Sequence, residues 1–519
     1  MIALCEARTF GDVLRLNAAL RPHKIALQSL DGRFVTFGDF NERVNRLNDA
    51  VARLGVPKGS RVAILSRNRV EYVESYGLSK SGLIVVPLNW RLTGGELTKL
   101  VAHSSPELLI VDEPNRDLVE RLRGAWTSVK HFVLLGDARA GWQSYEALIT
   151  AGSAAEPAVT VSAGDILCVT YTSGTTSAPK GVALAHAAAV GNCRTAAAEI
   201  LHLTECDRTM AVMPLFHVGG MWYHLFPSFA SGCTSLILSD FEPATVIKEL
   251  AAHRISNIHL VPSMIGALLA APDAETADFS ALRLLFYAAS SMPVHLLRRA
   301  MQLLSSCGFV QSYGSTEAGV VTALSPDDHR RARQPQSEHL LLSCGRPVTG
   351  RAVRIVDDGG GVVATSAVGE IEVHSPDAME AYWLDEDGTR NAMRDGWLKT
   401  GDVGYLDAEG FLYVVDRKND MVVTGGENVY PSEVEGYLYR DPDVLEAAVF
   451  GVPDPQWVER VVAAVVLKPG SSVSAGQLTA RLREQLAPYK CPKAIHFVPA
   501  LPKSAAGKIL RKALRTQFG

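Results

Sequence analysis

Apolar positions in this chain follow two alternating rhythms. Unbroken runs such as Val62-Ala63-Ile64-Leu65, Ile84-Val85-Val86-Pro87-Leu88, Leu108-Leu109-Ile110-Val111 and Phe132-Val133-Leu134-Leu135 have the composition of strands buried on both faces. Elsewhere the spacing is helical. Phe37, Phe40, Val44, Leu47, Val51 and Leu54 share one face, Thr36-Phe37-Gly38-Asp39 reads as a helix start, and Gly55 reads as its stop. A second helix is predicted through Tyr72 to Ser79. Strand candidates resume at 210–213, 235–238, 258–261, 284–287 and 308–310, with helical segments between them. Such alternation predicts parallel sheets covered by helices.

From 343 to 415 the pattern turns Gly-rich and strand-rich, with Arg354-Ile355-Val356, Gly369-Glu370-Ile371-Glu372-Val373 and a hairpin closing at Asp407-Ala408-Glu409-Gly410. The last hundred residues read as a small α+β unit with core segments at 434–438, 445–452 and 461–467. The polar run Asp416-Arg417-Lys418-Asn419-Asp420 lies between two apolar strands and marks the boundary. The predicted fold class is α/β. A large N-terminal domain of parallel-sheet αβ subdomains plus a β-barrel-like subdomain spans 1–416, and a small mobile α+β C-terminal domain spans 417–519.

Composition narrows the classes of partner. The chain has 519 residues, 47% apolar and 20% charged, an ordinary soluble balance with ample length for a large core. A net charge of −4 and a pI near 6.4 argue against broad binding to nucleic acid or anionic membrane, so any phosphate site must be built locally. Glu6, Arg8 and Asp12 interrupt the N-terminus, so no signal peptide is expected, and no apolar run is long enough to span a bilayer. The 8 cysteines are scattered without a C-x-x-C pair, which favours reduced thiols in a cytoplasmic protein over a disulfide framework or metal cluster. Gln517-Phe518-Gly519 is not a peroxisomal address.

The stretch most charged with chemistry is Tyr171-Thr172-Ser173-Gly174-Thr175-Thr176-Ser177-Ala178-Pro179-Lys180-Gly181. It follows the apolar run 166–170, and a helix is expected from about Ala187, which would make this a strand-to-helix loop of the kind that holds anions. Its hydroxyls and amides can ring a polyphosphate, and Lys180 adds a point charge. A Walker A loop is excluded, because Lys180 is followed by Gly181 and not by Ser or Thr. A hydroxyl-rich loop taken alone is also compatible with a plain surface turn.

The complete string T-S-G-T-T-x-x-P-K-G resembles the phosphate loop of the adenylate-forming superfamily, which includes acyl-CoA synthetases, peptide-synthetase adenylation domains and luciferases. Ser177 stands where that family usually has Gly. Six further segments match in order: 213–220, 287–293, 311–317, 399–402, 424–431 and 502–511. The resemblance implies a large AMP- and acyl-binding domain closed by a catalytic lid, with ATP, Mg²⁺ and coenzyme A as cofactors. It implies that Thr172, Ser173, Gly174, Thr175, Thr176 and Lys180 hold the β- and γ-phosphates, and that Ala289, Ser290, Ser312, Tyr313 and Gly314 form the adenine pocket. Thr316 would bond the α-phosphate, Glu317 would hold Mg²⁺, and Asp402 and Arg417 would hold the ribose. His217 would border the acyl group, and Asn419 would be the hinge, where relatives often carry Asp or Lys. Gly425 and Gly426 would line the pantetheine channel, and Tyr489 and Lys493 would touch the coenzyme A nucleotide. Lys508 would catalyse adenylation, while Arg511, Lys512 and Arg515 read as a solvated basic face. The implied catalytic set is Lys508, Thr175, Glu317 and His217.

The implied activity is that of an ATP-dependent acyl-CoA synthetase. A carboxylic acid and ATP give acyl-adenylate and pyrophosphate, then coenzyme A gives the thioester and AMP. An adenylation enzyme that loads a carrier protein is the alternative, although no Asp occurs between Pro214 and Ser239, where amino-acid-activating members usually place one. A non-catalytic nucleotide-binding protein would be expected to lack Lys508, Glu317 or Asp402, and all are present. Met221, Trp222, Tyr223, Leu225, Val310 and Val320 suggest an apolar acyl pocket. That set suits a medium-chain fatty acid, a benzoate or a hydroxycinnamate, with a fatty or aryl-alkanoic acid favoured. The expected partners are small molecules, the expected state is monomer or homodimer, and nucleic acid and transmembrane contacts are not expected.

Overall fold

The computed structural model describes residues 6–172, 180–418, 420–424, 427–503 and 509–519. Thr36 caps the helix Phe37–Arg53 as its sequence predicts, its side chain accepting from the Asp39 amide. The predicted helix through Tyr72 is Val70–Tyr76, tightened into a 3₁₀ turn over Gly77–Ser81.

The apolar runs assemble into two large sheets. An 8-stranded sheet has the order Ala381–Tyr382, Lys180–Ala185, Ile166–Thr172, Ile84–Leu88, Arg61–Leu65, Leu108–Asp112, His131–Leu135 and Gln143–Ser144. A 9-stranded sheet runs Arg346–Pro347, Gly319–Leu324, Gly308–Ser315, Leu284–Ala288, Asn257–Leu260, Arg208–Ala211, Thr234–Ile237, Ile25–Ser29 and Phe34–Thr36. Its interior pairings are parallel, and antiparallel strands close both edges. The early hairpin of Ile25–Ser29 and Phe34–Thr36 thus joins a sheet whose other strands come far later in the chain. One continuous core lies between the layers. There Phe10 stacks on Phe226 at 4.4 Å, and Trp222 meets Tyr76 edge-on at 5.2 Å.

The segment after 343 forms a 5-stranded antiparallel sheet of Ala352–Val356, Gly369–His374, Trp397–Leu406, Met393–Arg394 and Leu412–Arg417. The C-terminal α+β unit has its own 5-stranded sheet, with the long hairpin Val444–Asp454 and Val458–Leu467 at its centre. Apolar clusters cover both faces of that hairpin, and all their described members fall within 422–518. This unit leans on the preceding strand through Ser432, whose amide donates to Asp416 Oδ2 at 2.8 Å and whose hydroxyl donates to the Val415 carbonyl. Among the described residues no helix is long and apolar enough to cross a membrane.

Two expectations are corrected. The phosphate-loop segment does not run from strand to helix. Lys180–Ala185 is a strand paired antiparallel with Ile166–Thr172, with Thr172 opposite Lys180, while the helix starts at His186, close to the expected Ala187. Residues 181–185 are buried, so their backbone groups need ladder partners on both sides, and the strands Ile166–Thr172 and Ala381–Tyr382 supply them. The chain between Thr172 and Lys180 therefore joins two antiparallel strands, and a strand separates it from the helix that starts at His186. Arg511 is likewise not a solvated residue. Its guanidinium reaches Glu435 at 2.8 Å and Asp420 at 3.4 Å, so it ties the last helix to the first helix of the small unit and to the boundary segment.

Candidate functional site

The strands Gly308–Ser315 and Gly319–Leu324 pair closely and leave Thr316, Glu317 and Ala318 as the turn between them. Gly314 is required by that approach, since a Cβ there would lie 2.1 Å from the Gly319 carbonyl oxygen. The turn is fixed from several sides. The Ala318 amide donates to Ser315 Oγ at 3.0 Å, the Tyr223 hydroxyl donates to the Ser315 carbonyl at 2.6 Å, and the Met379 amide donates to the Glu317 carbonyl at 2.7 Å. Thr316 is buried beneath the turn.

Glu317 does not stand alone. Its Oε1 accepts from the Tyr382 hydroxyl at 3.1 Å, and Lys180 Nζ lies 4.8 Å from the centre of the Tyr382 ring. Tyr382 reaches this place because its short strand pairs with Lys180–Ala185, opposite Val182. Burial, and then the Glu317 charge, push the phenol above its ordinary value, so it stays a donor. A carboxylate, a phenol and an ammonium thus meet at the mouth of the hydroxyl-rich hairpin. Sequence reasoning missed Tyr382. The available signal was the aromatic pair Tyr382-Trp383 in a polar connection, which carries no spacing cue.

A second cluster forms at Asp402, directly across the ladder from Arg417. Asp402 is buried. Its Oδ1 lies 2.7 Å from Arg417 Nε, its Oδ2 accepts from the Tyr313 hydroxyl at 2.6 Å, and its amide donates to Thr400 Oγ1 at 3.1 Å. Burial, and then the Asp402 charge, raise the Tyr313 phenol. Ser312 lies beneath, its hydroxyl donating to the Thr322 carbonyl at 2.8 Å. Ala289, just past the strand Leu284–Ala288, holds φ +77°, in the left-handed region, and Ser290 beside it is exposed.

His217 is half-buried, and its Nδ1 accepts from the Gly219 amide at 3.2 Å. Met221, Val310 and Val320 are fully buried in the same apolar cluster. Trp222 is buried too, but its ring packs against Phe10, Tyr76 and Phe226, and that aromatic contact accounts for its burial. Tyr489 and Lys493 are exposed on the small unit, where Lys493 Nζ donates to the Pro488 carbonyl at 3.3 Å. Neither is brought to Glu317 or Asp402 by a hydrogen bond among the described residues. Ser173, Gly174, Thr175, Thr176, Asn419, Gly425, Gly426 and Lys508 lie outside the described residues.

No cluster of three or more metal-ligating side chains occurs among the described residues. A single oxygen ligand beside a cation suits Mg²⁺ shared with a polyphosphate, because that ion takes few carboxylates and completes its shell with phosphate and water oxygens. Glu317, bonded to the Tyr382 hydroxyl with Lys180 against the same ring, fits that requirement.

Residues 14–383 match the family model described as AMP-binding enzyme, and residues 433–508 match the AMP-binding enzyme C-terminal domain. The chain is 34% identical to an indoleacetate–CoA ligase of Aromatoleum aromaticum, over 96% of this chain and 96% of that protein. It is also 34% identical to a feruloyl-CoA synthase of an Amycolatopsis species, over 97% of this chain and 98% of that one. The crystal structure of the anthranilate CoA ligase AuaEII in complex with anthranoyl-AMP superposes with a TM-score of 0.89 at 30% identity, covering 100% of this chain and 99% of that chain. With the Thr172–Lys180 strand pairing, the Glu317 turn and the Asp402–Arg417 pair on this fold, the chain belongs to the AMP-binding enzyme family.

Proposed function

We propose that the protein is an AMP-forming acyl-CoA synthetase acting on an aryl-alkanoic or fatty acid. The observation that carries this reading is the meeting of Glu317, Tyr382 and Lys180 at the hairpin, beside a buried carboxylate, Asp402, whose oxygens face an arginine and a tyrosine. The relatives named for indoleacetate and ferulate favour the aryl acid of the two.

A carboxylate resists acyl transfer because its oxygen leaves poorly. Attack of the carboxylate on the α-phosphorus of ATP, with pyrophosphate leaving, converts that oxygen into a good leaving group. Catalysis of such a transfer is mainly positioning and charge stabilisation. Lys180 and the hydroxyls of Thr172, Ser173, Thr175 and Thr176 would hold the β- and γ-phosphates, and Thr316 the α-phosphate. Mg²⁺, when bound at Glu317, would neutralise charge on the phosphate oxygens. Tyr382 would fix the Glu317 carboxylate for that task. Asp402 would accept from the ribose hydroxyls, with Arg417 beside it, and Tyr313 would flank the adenine with Ala289 and Ser290. His217 would border the acid, and Lys508 would bridge carboxylate and α-phosphate.

Thioester formation would use a different part of the small domain, with Gly425 and Gly426 beside the pantetheine arm and rotation about Asn419 between the steps. The domain boundary would fall at 416/417. The scattered free cysteines suit a reducing compartment, and we place the protein in the cytoplasm.

The test is pyrophosphate release over a panel of carboxylic acids, with coenzyme A or a phosphopantetheinylated carrier protein as acceptor. Lys508→Ala should abolish acyl-adenylate formation, by about a hundredfold or more, while sparing thioester formation from supplied adenylate. Equal loss in both half-reactions would defeat that assignment. Gly426→Leu should spare pyrophosphate exchange and block the thioester step, and loss of exchange would count against the channel.

A further inference from the structure

One buried side chain in the acyl-facing layer lacks what its chemistry requires. His259 lies on the strand Asn257–Leu260 and is 1% exposed. Its ring stacks on Phe286 with centroids 4.1 Å apart. His259 pairs with Phe286, and Phe286 pairs with Val310, across parallel strands, so the three side chains form one row on one sheet face. Phe286 and Val310 belong to the apolar cluster that also holds Met221, Leu225 and Val320.

The tautomer follows from the partner. His259 Nδ1 lies 3.1 Å from the Gly219 carbonyl oxygen, which can only accept, so the proton sits on Nδ1 and Nε2 presents a lone pair. Nε2 has no hydrogen-bond partner among the described residues. Burial, and then the neighbouring His224, keep the ring from protonating, so Nε2 does not become a donor instead. Several buried polar atoms lack a partner among the described residues, and His259 Nε2 is the one that shares its row with Phe286 and Val310, where a ligand donor would satisfy it.

A Cβ at Gly219 would lie 3.3 Å from both His217 Nδ1 and His259 Cε1, so the two imidazoles both close on Gly219 and lie near one another. On the reading of His217 and Val310 as the acyl pocket, we propose that His259 Nε2 selects an acid carrying a hydroxyl or N–H donor away from its carboxylate. The lone pair accepts from that donor, and an acid with a methyl group in its place leaves the acceptor unpaired.

Matched acids test this. Adenylation kcat/KM is measured for 3-phenylpropanoic acids bearing a hydroxyl or a methyl at each ring position, and for ω-hydroxy and ω-methyl straight-chain acids. The native protein should prefer the donor-bearing member at one position by about tenfold or more, since a site built around a polar contact rejects the analogue that lacks it. His259→Asn keeps an N–H for the Gly219 carbonyl and removes the outer acceptor, so it should bring that preference near unity. His259→Gln keeps an amide oxygen at the outer position and should retain part of it. A native protein that treats every matched pair alike, as it would if an internal water satisfied Nε2, overturns the proposal. So does a preference that survives in His259→Asn. Absence of adenylate from every acid would instead remove the ligase reading on which the proposal rests.

Discussion

Tyr382 is the single side chain whose removal most directly separates positioning from fold. Its hydroxyl is the described hydrogen-bond donor to the Glu317 carboxylate, at 3.1 Å. A hydrogen bond to a charged acceptor is worth about 1.5–3 kcal/mol, so Tyr382→Phe should lower adenylation kcat/KM by about tenfold or more and raise the requirement for Mg²⁺. The thermal midpoint should barely move, and unchanged kinetics would dismiss the role. Ala289 offers the converse case, because it holds φ +77° beside the expected adenine pocket. A left-handed alanine costs about 1–2 kcal/mol, and glycine gives back part of that in unfolded-chain entropy. Ala289→Gly should therefore stabilise the protein by about 0.5 kcal/mol in urea titration, and a clear loss would show that the alanine methyl packs usefully. Tyr382 was illegible in the sequence because its partners are remote in the chain. Glu317 and Asp402 could be singled out in the sequence because each sits in a contiguous motif.

At the scale of elements, one buried carboxylate joins three helices. Glu74, on Val70–Tyr76, is wholly buried and takes Arg43 Nε at 2.6 Å from the helix Phe37–Arg53. It also accepts from the Tyr145 hydroxyl at 3.0 Å, at the start of the helix Tyr145–Ala151. Removing one partner of such a pair strands a buried charge, at a cost of about 3–5 kcal/mol. Glu74→Leu should show a loss of that order in urea unfolding, and Arg43→Met with Glu74→Leu should lose less than the two single changes added together. Strict additivity would mean that the pair is not coupled. Nothing in the local pattern marks Glu74 as buried, since a glutamate on a helix reads as solvated until a neighbouring helix covers it. The hairpin before Lys180 failed for a similar reason. The run 181–185 carries no assignment of its own between the loop and the expected helix, and it becomes a strand because the strands on either side pair with its backbone.

For the whole molecule, the buried neutral histidines set an acid limit, and three of them besides His259 define its window. His186, His224 and His329 are each pushed down to about 4 by burial, against an ordinary value of 6.5. The unfolded chain therefore takes up protons below about pH 6.5 that the folded chain refuses until about pH 4. Stability is fully present above the unfolded value and falls as pH drops through this window, by about 1.4 kcal/mol per pH unit for each histidine. The urea midpoint of the large domain should decline steadily from pH 6.5 towards pH 4, and a flat profile would show that these rings are already accessible to protons. The small unit has a core drawn from 422–518 and contains only His496, so its midpoint should respond less.

The sequence by itself determined the alternation of strands and helices, the separate C-terminal unit and the chemistry-bearing motifs. Those signals are local, carried by side-chain periodicity and by groups adjacent along the chain. Only the tertiary structure decided which of those motifs meet. Glu317 and Tyr382 are 65 positions apart, and Tyr313 and Asp402 are 89 apart, and both contacts depend on strand pairings that no local preference encodes. The same dependence on packing made His259 a lone-pair acceptor, because its tautomer was set by a carbonyl 40 positions away.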